Sequence, residues 1–181
     1  MGEPVEIMPY DPVWPDMFAR WGVGLRSALG GAAARIDHIG STSVPGLAAK
    51  PVIDIQISVA SLESTDEFLG PLTGMGFVYR VDNPERTKRY FREPQGQHRM
   101  HVHVRQLGSF SQQFPLLFRD YLRCHTSAAT EYAAVKRRCA AQFRNDRPGY
   151  VQAKDAFVWD IIRRADAWAQ RTGWIPGPSD A

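Results

Sequence analysis

The sequence predicts an α/β (α+β) protein in which a mixed β-sheet is flanked by helices and followed by a C-terminal segment of three helices. Three observations support this prediction. Residues 51–59 alternate apolar and polar side chains, as a half-buried strand does, and four further stretches have strand patterns. Residues 14–29 repeat apolar side chains at the spacing of an amphipathic helix. From Ser109 onward, every stripe of apolar residues has helical spacing.

The individual elements have local signals at their ends. Asp11-Pro12 fits an N-cap followed by a first-turn proline, so a helix is expected to follow and to end near Gly30. Ser64 opens a capping-box pattern, which predicts a second helix that ends at Gly76. The predicted strands cover residues 35–39, 51–59, 77–81, 87–92 and 100–106, and the three C-terminal helices have their apolar stripes at 114–122, 132–143 and 157–168.

The chain of 181 residues is predicted to form one domain over residues 3–171, whose helical C-terminal part is 109–171. Residues 172–181 have little to pack and are predicted to be a flexible tail. No stretch approaches the roughly 18 consecutive apolar residues of a membrane helix. The N-terminal segment is too acidic and proline-rich for a secretory signal, and two cysteines exclude a disulfide scaffold. We therefore expect a cytoplasmic protein without a membrane partner, present as a monomer or a small homo-oligomer.

Lysine and arginine are unevenly distributed along the chain. The net charge is +3, but residues 119–171 contain 11 Lys and Arg against 6 Asp and Glu. A second basic cluster lies between Arg86 and Arg105. Such clusters favour a polyanionic partner, either a nucleotide or a nucleic acid. A solvated face of ordinary basic helices would have the same composition.

The most informative segment is residues 38–57, in which a predicted strand leads into a polar loop and the loop leads into the clearest strand. Gly40 has no side chain to block a ligand, and the amides and hydroxyls of Ser41, Thr42 and Ser43 suit phosphate oxygens. Asp54 lies within an apolar strand, where an unpaired carboxylate is costly to bury and a divalent cation would offset that cost. The alternative is a salt bridge from Asp54 to a neighbour such as Lys50.

This segment resembles the signature of the nucleotidyltransferase superfamily, in which Gly-Ser precedes a strand that carries two carboxylates one residue apart. The string HIGSTSVPGLAAKPVIDI at 38–55 is closer still to one branch, the GrpB or UPF0157 family of small bacterial proteins. The resemblance covers roughly residues 5–168. It extends to motifs at 10–15, 101–104, 117–122 and 150–157.

The resemblance implies a nucleotidyltransferase-like fold with a nucleoside triphosphate and a divalent metal (Mg or Mn, with Zn as a further candidate) at the Gly-Ser loop. Carried over to this chain, Gly40 and Ser41 would hold triphosphate oxygens and Asp54 would be a metal ligand. The chain departs from the pattern at Gln56, which stands where an active enzyme has its second carboxylate. An uncharged amide is a poor ligand for a hard cation. No third Asp or Glu appears at the expected place on a later strand.

His101 and His103 are candidates to complete the metal site. Residues two apart on a strand point to the same face, so both imidazoles project together. With Asp54 they would form a set of two histidines and one carboxylate, which suits Mn, Fe, Zn or Ni better than Mg. Alternatively one histidine is the general base of the reaction. Two half-exposed histidines on a sheet face are the structural alternative.

Five basic residues are candidates for phosphate binding. Lys50 closes the loop, and Lys154 lies within a family-like motif. Lys88, Arg89 and Arg92 lie on the strand before the histidines, where they are predicted to hold a triphosphate. Together these residues predict a metal-dependent enzyme that transfers a nucleotidyl group from a nucleoside triphosphate to a small hydroxyl- or amine-bearing acceptor. The alternative is a non-catalytic module that binds nucleotide or RNA and has lost the full carboxylate set.

Overall fold

The computed structural model describes residues 4–181, and its helices and strands follow the predicted order. Five helices and five strands form in this part of the chain. In chain order they are α1 (Trp14–Leu29), β1 (Arg35–Ile39), β2 (Ile53–Val59), α2 (Asp66–Gly74), β3 (Val78–Tyr79), β4 (Arg89–Arg92), β5 (Met100–Gln106), α3 (Phe110–Cys124), α4 (Thr126–Gln142) and α5 (Arg147–Thr172). The predicted class, a mixed sheet flanked by helices with three helices at the C-terminal end, is confirmed.

The five strands form one sheet in the order β1-β2-β5-β4-β3. Strands β2 and β5 are parallel, and every other neighbouring pair is antiparallel, so the sheet is mixed. The register of the parallel pair places Asp54 beside His101 and Gln56 beside His103. Because β2 and β5 run in the same direction, the residues that immediately precede the two strands lie at the same end of the sheet.

The two faces of the sheet differ in polarity. Ile53, Ile55 and Ile57 are fully buried on one face, in a core that includes residues of α1 and α2. Burial of one such side chain stabilises the fold by about 1.5–3 kcal/mol. The opposite face carries Asp54 and Gln56, which alternate with the isoleucines, and it is covered in part by α3. The candidate functional residues therefore lie between the sheet and the C-terminal helices.

The loop between β1 and β2 is held by those helices. Val44 and Leu47 of the loop are buried in one hydrophobic cluster with residues of α3, α4 and α5, among them Tyr132 and Ile161. The ammonium group of Lys136 donates a hydrogen bond to the carbonyl of Ala48. The helices thus fix the loop in place beside β2. None of the helices in residues 4–181 is both long and apolar enough to cross a membrane.

The C-terminal residues differ from the prediction that 172–181 are a flexible tail. In the structure residues 177–181 contact β1: the backbone N–H of Ile36 donates to Ser179 Oγ at 2.8 Å, and that of His38 donates to Asp180 Oδ2 at 2.9 Å. Arg119 of α3 also donates to Asp180 Oδ2, at 2.7 Å. The physical reason is that β1 is an edge strand, and the tail satisfies backbone groups that would otherwise lack partners in the sheet.

Candidate metal and phosphate site

Asp54, His101 and His103 meet on the polar face of the sheet. His101 Nδ1 lies 3.0 Å from Asp54 Oδ1, and His103 Nε2 lies 3.4 Å from the same oxygen. One donor atom from each residue lies within 4.8 Å of those of the other two, and within residues 4–181 this is the one such group of three. The parallel register of β2 and β5 produces this arrangement, because it places an aspartate and two histidines on adjacent strands of the same face.

The protonation states of Asp54 and His103 suit metal binding. Burial alone would raise the pKa of Asp54, but hydrogen bonds from His101 and His103 outweigh it and hold that pKa well below its usual range. Burial lowers the pKa of His103 to about 4, against the opposing hydrogen bond to Asp54. At neutral pH the cluster therefore contains a carboxylate and a neutral imidazole, the forms in which these groups bind metals.

The donor geometry fits a small divalent metal. Metal–ligand distances of about 2.0–2.2 Å in tetrahedral or octahedral coordination require neighbouring donors to be about 2.8–3.6 Å apart. The distances of 3.0 and 3.4 Å to Asp54 Oδ1 fall within that range. Two of the three donors are imidazoles, which favours Mn, Fe or Zn over Mg. The residues present therefore fit a transition metal, which they would hold with one oxygen and two nitrogens.

Gln56 does not extend this cluster. It is fully buried. Its Nε2 donates to the carbonyl of Gln112 at 2.9 Å, and its Oε1 accepts from Arg105 at 2.8 Å. The position of the second carboxylate in the superfamily pattern is thus occupied by an amide that joins β2 to α3 and β5.

The loop that begins at Gly40 lies directly against Asp54. Gly40 has φ 72° and ψ −172°, a backbone conformation essentially restricted to glycine. The Ser43 hydroxyl donates to the Gly40 carbonyl at 2.6 Å, and the Thr42 hydroxyl donates to the Val52 carbonyl at 3.0 Å. These two hydroxyls therefore hold the loop in shape. Gly40, Ser41 and Thr42 line the cavity beside the cluster, whereas Ser43 does not.

A cavity of about 240 Å³ connects the loop, the cluster and the C-terminal helices. Of the residues predicted from the sequence, Gly40, Ser41, Thr42, Lys50, Asp54, His101 and Lys154 line it. Three residues that were not predicted to belong to the site also line it: Tyr132, Lys136 and Tyr150. Tyr132 forms a hydrogen bond with Ser41, so α4 contacts the loop at the cavity wall.

Three lysines give the cavity a positive potential. Burial, together with the nearby charge of Arg147, lowers the pKa of Lys50 to about 8. Burial and the charge of Lys154 lower the pKa of Lys136 to about 7, and burial also lowers the pKa of Lys154. Crowding cations in a buried site costs free energy that a bound polyanion would offset.

The missed residues left detectable signals in the sequence. Lys136 follows Tyr132 by four residues, so it lies on the same face of α4 as the apolar stripe, and it is 2% exposed. A lysine on the buried face of a helix is rare unless its charge has a partner. Tyr150 begins the motif at 150–157 that carries part of the family resemblance.

The three basic residues predicted on the fourth strand lie outside the cavity, although the register of β4 on β5 places Arg92 beside His101. Lys88 forms an ion pair with Glu85, Arg89 with Glu63 and Arg92 with Glu93. None of the three lines the cavity. Alternation along β4 places the side chain of Arg89 on the face opposite that of Arg92. The structure thus separates these residues from the three lysines, and their contact with a triphosphate remains a prediction.

The fold and the cluster define a nucleotidyltransferase-like α/β protein with a candidate metal site. The fold is shared with the Cid1 poly(U) polymerase, to which the chain is similar with a TM-score of 0.56 at 14% identity over 81% of this chain and 49% of that chain. A likeness at this identity shows the fold alone. The crystal structure of a conserved GrpB protein from Enterococcus faecalis is more similar, with a TM-score of 0.81 and 31% identity over 90% of this chain and 99% of that chain.

The chain belongs to the GrpB family. The family model described as "GrpB protein" matches residues 4–164, and several curated UPF0157 proteins are also related. A dephospho-CoA kinase from Mycolicibacterium paratuberculosis is 39% identical over 96% of this chain and 49% of its own length. The chain therefore spans about half the length of that relative, and also 48% of the Bacillus subtilis UPF0157 protein.

Proposed function

We propose that the protein is a metal-dependent nucleotidyltransferase-like enzyme that transfers a nucleotidyl group from a nucleoside triphosphate to a small acceptor with a hydroxyl or amine. The observation that carries this proposal is that Asp54 and His101 of the cluster line one cavity with the Gly40 loop and three lysines, while His103 lies beside Asp54. The proposed metal site and the proposed polyanion site are adjacent, as the transfer of a phosphoryl-linked group requires.

In this proposal one group of residues binds the metal and another binds the triphosphate. Asp54, His101 and His103 would hold the metal, which when bound neutralises phosphate charge and polarises the phosphoryl group. Lys50, Lys136 and Lys154 would hold the triphosphate, and the absence of a side chain at Gly40 would let the backbone approach it. The acceptor oxygen or nitrogen then forms a bond to the α-phosphorus while the bond to pyrophosphate breaks. The acceptor's proton leaves to the solvent.

A second candidate function is supported by Gln56. Its side chain is an uncharged amide whose two polar atoms are already hydrogen-bonded to Gln112 and Arg105, so it supplies no charge to a second metal. A protein with this site would bind nucleotide or RNA without turnover, as a module that kept the fold and lost part of the catalytic set. The two functions differ in whether pyrophosphate is released.

Calorimetry on the whole chain tests the proposal. Each common nucleoside triphosphate is titrated in the presence of Mn, Zn or Mg, with wild type, Asp54→Asn and the double variant His101→Ala/His103→Ala. We expect a triphosphate to bind most tightly with Mn or Zn and both variants to lose the dependence on metal. Asp66→Asn, an exposed carboxylate on α2, is the matched control and should bind as wild type does.

A coupled assay for pyrophosphate then separates the two functions. Release in the presence of a pool of small hydroxyl and amine acceptors supports the enzyme, whereas metal-dependent binding without release with any acceptor supports the module. Metal and triphosphate affinities that are unchanged in Asp54→Asn and in the double variant would contradict both assignments of the cluster.

A further inference from the structure

A second and larger cavity adjoins the site. It has a volume of about 400 Å³. Lys50 and Val52 line both this cavity and the cavity of about 240 Å³ that contains Lys50, Lys136 and Lys154, which we call the lysine cavity. Its other walls are the N-terminal segment at residues 4–6, Pro51, the pair His98 and Arg99, and Arg147 at the start of α5. We call it the outer cavity.

The topology of the sheet places the outer cavity beside the metal cluster. Residues 50–52 lead into β2 and residues 98–99 lead into β5, and these two strands are parallel. The two segments therefore lie side by side at the end of the sheet where β2 and β5 begin. There the backbone N–H of Ile53 donates to the carbonyl of Arg99 at 3.1 Å. Asp54 and His101 are the second residues of their strands. A molecule in the outer cavity would consequently lie next to the proposed metal and phosphates.

Basic side chains predominate among the charged residues that line the outer cavity. Lys50, Arg99 and Arg147 line it together with His98. Within residues 4–181, no carboxylate forms an ion pair with Lys50 or Arg147, and Glu6, the acidic residue of the described lining, accepts from Arg144 at 3.1 Å. The charge of Arg147 contributes to the lowered pKa of Lys50, so these cations repel one another. Like charges in one cavity complement a multiply charged anion.

We propose that the outer cavity binds the acceptor and that the acceptor is a small molecule with a phosphate monoester. Arginine binds phosphate through two parallel hydrogen bonds, and a dianion matches a site with several cations better than a monoanion does. The assignment of this anion as the acceptor rests on the proposed function. It deepens that function by naming the charge that the acceptor carries in addition to its hydroxyl or amine.

Calorimetry with two simple anions tests the outer cavity. Inorganic phosphate and acetate are titrated into the whole chain, first alone and then after saturation with Mn and a triphosphate analogue that cannot release pyrophosphate. Arg147→Gln is compared with Arg171→Gln, an exposed arginine at the other end of the same helix. We expect phosphate to bind the saturated wild type, Arg147→Gln to weaken this binding by about tenfold or more, and Arg171→Gln to leave it unchanged.

The remaining outcomes separate the possible failures. If phosphate competes with the triphosphate analogue and Arg147→Gln does not weaken it, phosphate binds in the lysine cavity and the proposal is wrong. If acetate binds as tightly as phosphate, the phosphate monoester is the wrong chemical class. If no triphosphate binds wild type while phosphate still depends on Arg147, the proposed function fails and the acceptor role fails with it, but the anion site stands. Retained affinity of Arg147→Gln for the triphosphate analogue shows that the variant folds.

Discussion

Gly40 and Asp54 are in such close contact that a β-carbon on residue 40 would lie 2.5 Å from Asp54 Oδ2. The loop that is proposed to bind phosphate and the carboxylate that is proposed to bind metal therefore touch. Only a residue without a side chain allows this contact, and the backbone of Gly40 has a conformation that other residues rarely adopt. The spacing between Gly-Ser and Asp in the sequence thus corresponds to a direct contact in space.

Substitution of Gly40 by alanine should damage the site more than the fold. The new methyl group would displace the Asp54 carboxylate, so we expect metal-dependent triphosphate binding to be lost. Gly46→Ala is the matched control, because Gly46 also has positive φ, 77°, but a β-carbon there would meet nothing within 4 Å. Both variants should also lose stability from backbone strain, on the order of 1–3 kcal/mol. Melting curves with and without Mn and triphosphate measure both effects, and a Gly40→Ala variant that is still stabilised by the ligands would refute the contact's role.

The lysine cavity and the basic strand make different predictions for triphosphate binding. We expect Lys154→Met to weaken triphosphate binding by about tenfold or more, because it removes a cation from the cavity wall. Lys88→Met should weaken it less than about twofold, because the ammonium group of Lys88 is already paired with Glu85 and does not line the cavity. Calorimetry of the two variants at one salt concentration shows whether the triphosphate binds in the lysine cavity or at the basic strand. Equal losses would show that the basic strand also contacts the triphosphate.

Triphosphate affinity should fall as pH rises from about 7.5 to 9. In the free protein the pKa values of Lys136 and Lys50 are about 7 and about 8, so both lysines lose charge over this range. A bound triphosphate favours the charged form, and binding at pH 8 should therefore take up protons. The uptake is measured as the dependence of the calorimetric heat on the ionisation enthalpy of the buffer. Triphosphate binding without proton uptake at pH 8 would contradict a contact between these lysines and the triphosphate.

The variant Lys136→Met tests the lowered pKa of Lys136 through the pH dependence of the free energy of unfolding. Burial lowers the pKa of Lys136 in the folded state below its unfolded value of 10.5, so the unfolded state binds more protons between these two pKa values. The free protein should therefore gain stability from this residue as pH rises from about 7 to 10, and the variant should lose that gain. Denaturant unfolding of both proteins at several pH values measures the difference. Parallel pH profiles would show that Lys136 is not desolvated.

Asp180→Asn should destabilise the protein by about 1–2 kcal/mol. Asp180 Oδ2 accepts from the buried Arg119 at 2.7 Å and from the backbone of β1, and the amide cannot replace the charge. Arg119 keeps its ion pair with Asp120 at 2.7 Å, which limits the loss. Asp166→Asn, an exposed residue of α5, is the control. An unchanged melting temperature in Asp180→Asn would indicate that the C-terminal residues leave β1 in solution.

Local patterns predicted the order of helices and strands but not all of their ends. The predicted capping box at Ser64 does not form, since α2 begins at Asp66 and no side chain caps it. The strand predicted over 77–81 shrinks to two residues, because its neighbour β4 pairs with it only through Phe91 and Arg92. Alternation fixes which face a side chain takes, whereas the length of a strand depends on how far its partner continues beside it.

The sequence by itself determined that Asp54 lies within a strand, that His101 and His103 share one face of another, and that a glycine-containing loop precedes the aspartate. Only the tertiary structure decided that these parts meet, because the register of β2 on β5 is a long-range pairing that no local period encodes. It also brought Lys136 of α4 and Lys154 of α5, which are far along the chain from the loop, to the cavity. It paired Lys88 with Glu85 and placed the C-terminal residues on the edge strand β1. Side-chain period follows from backbone geometry within one element, but the choice of partner follows from packing between elements.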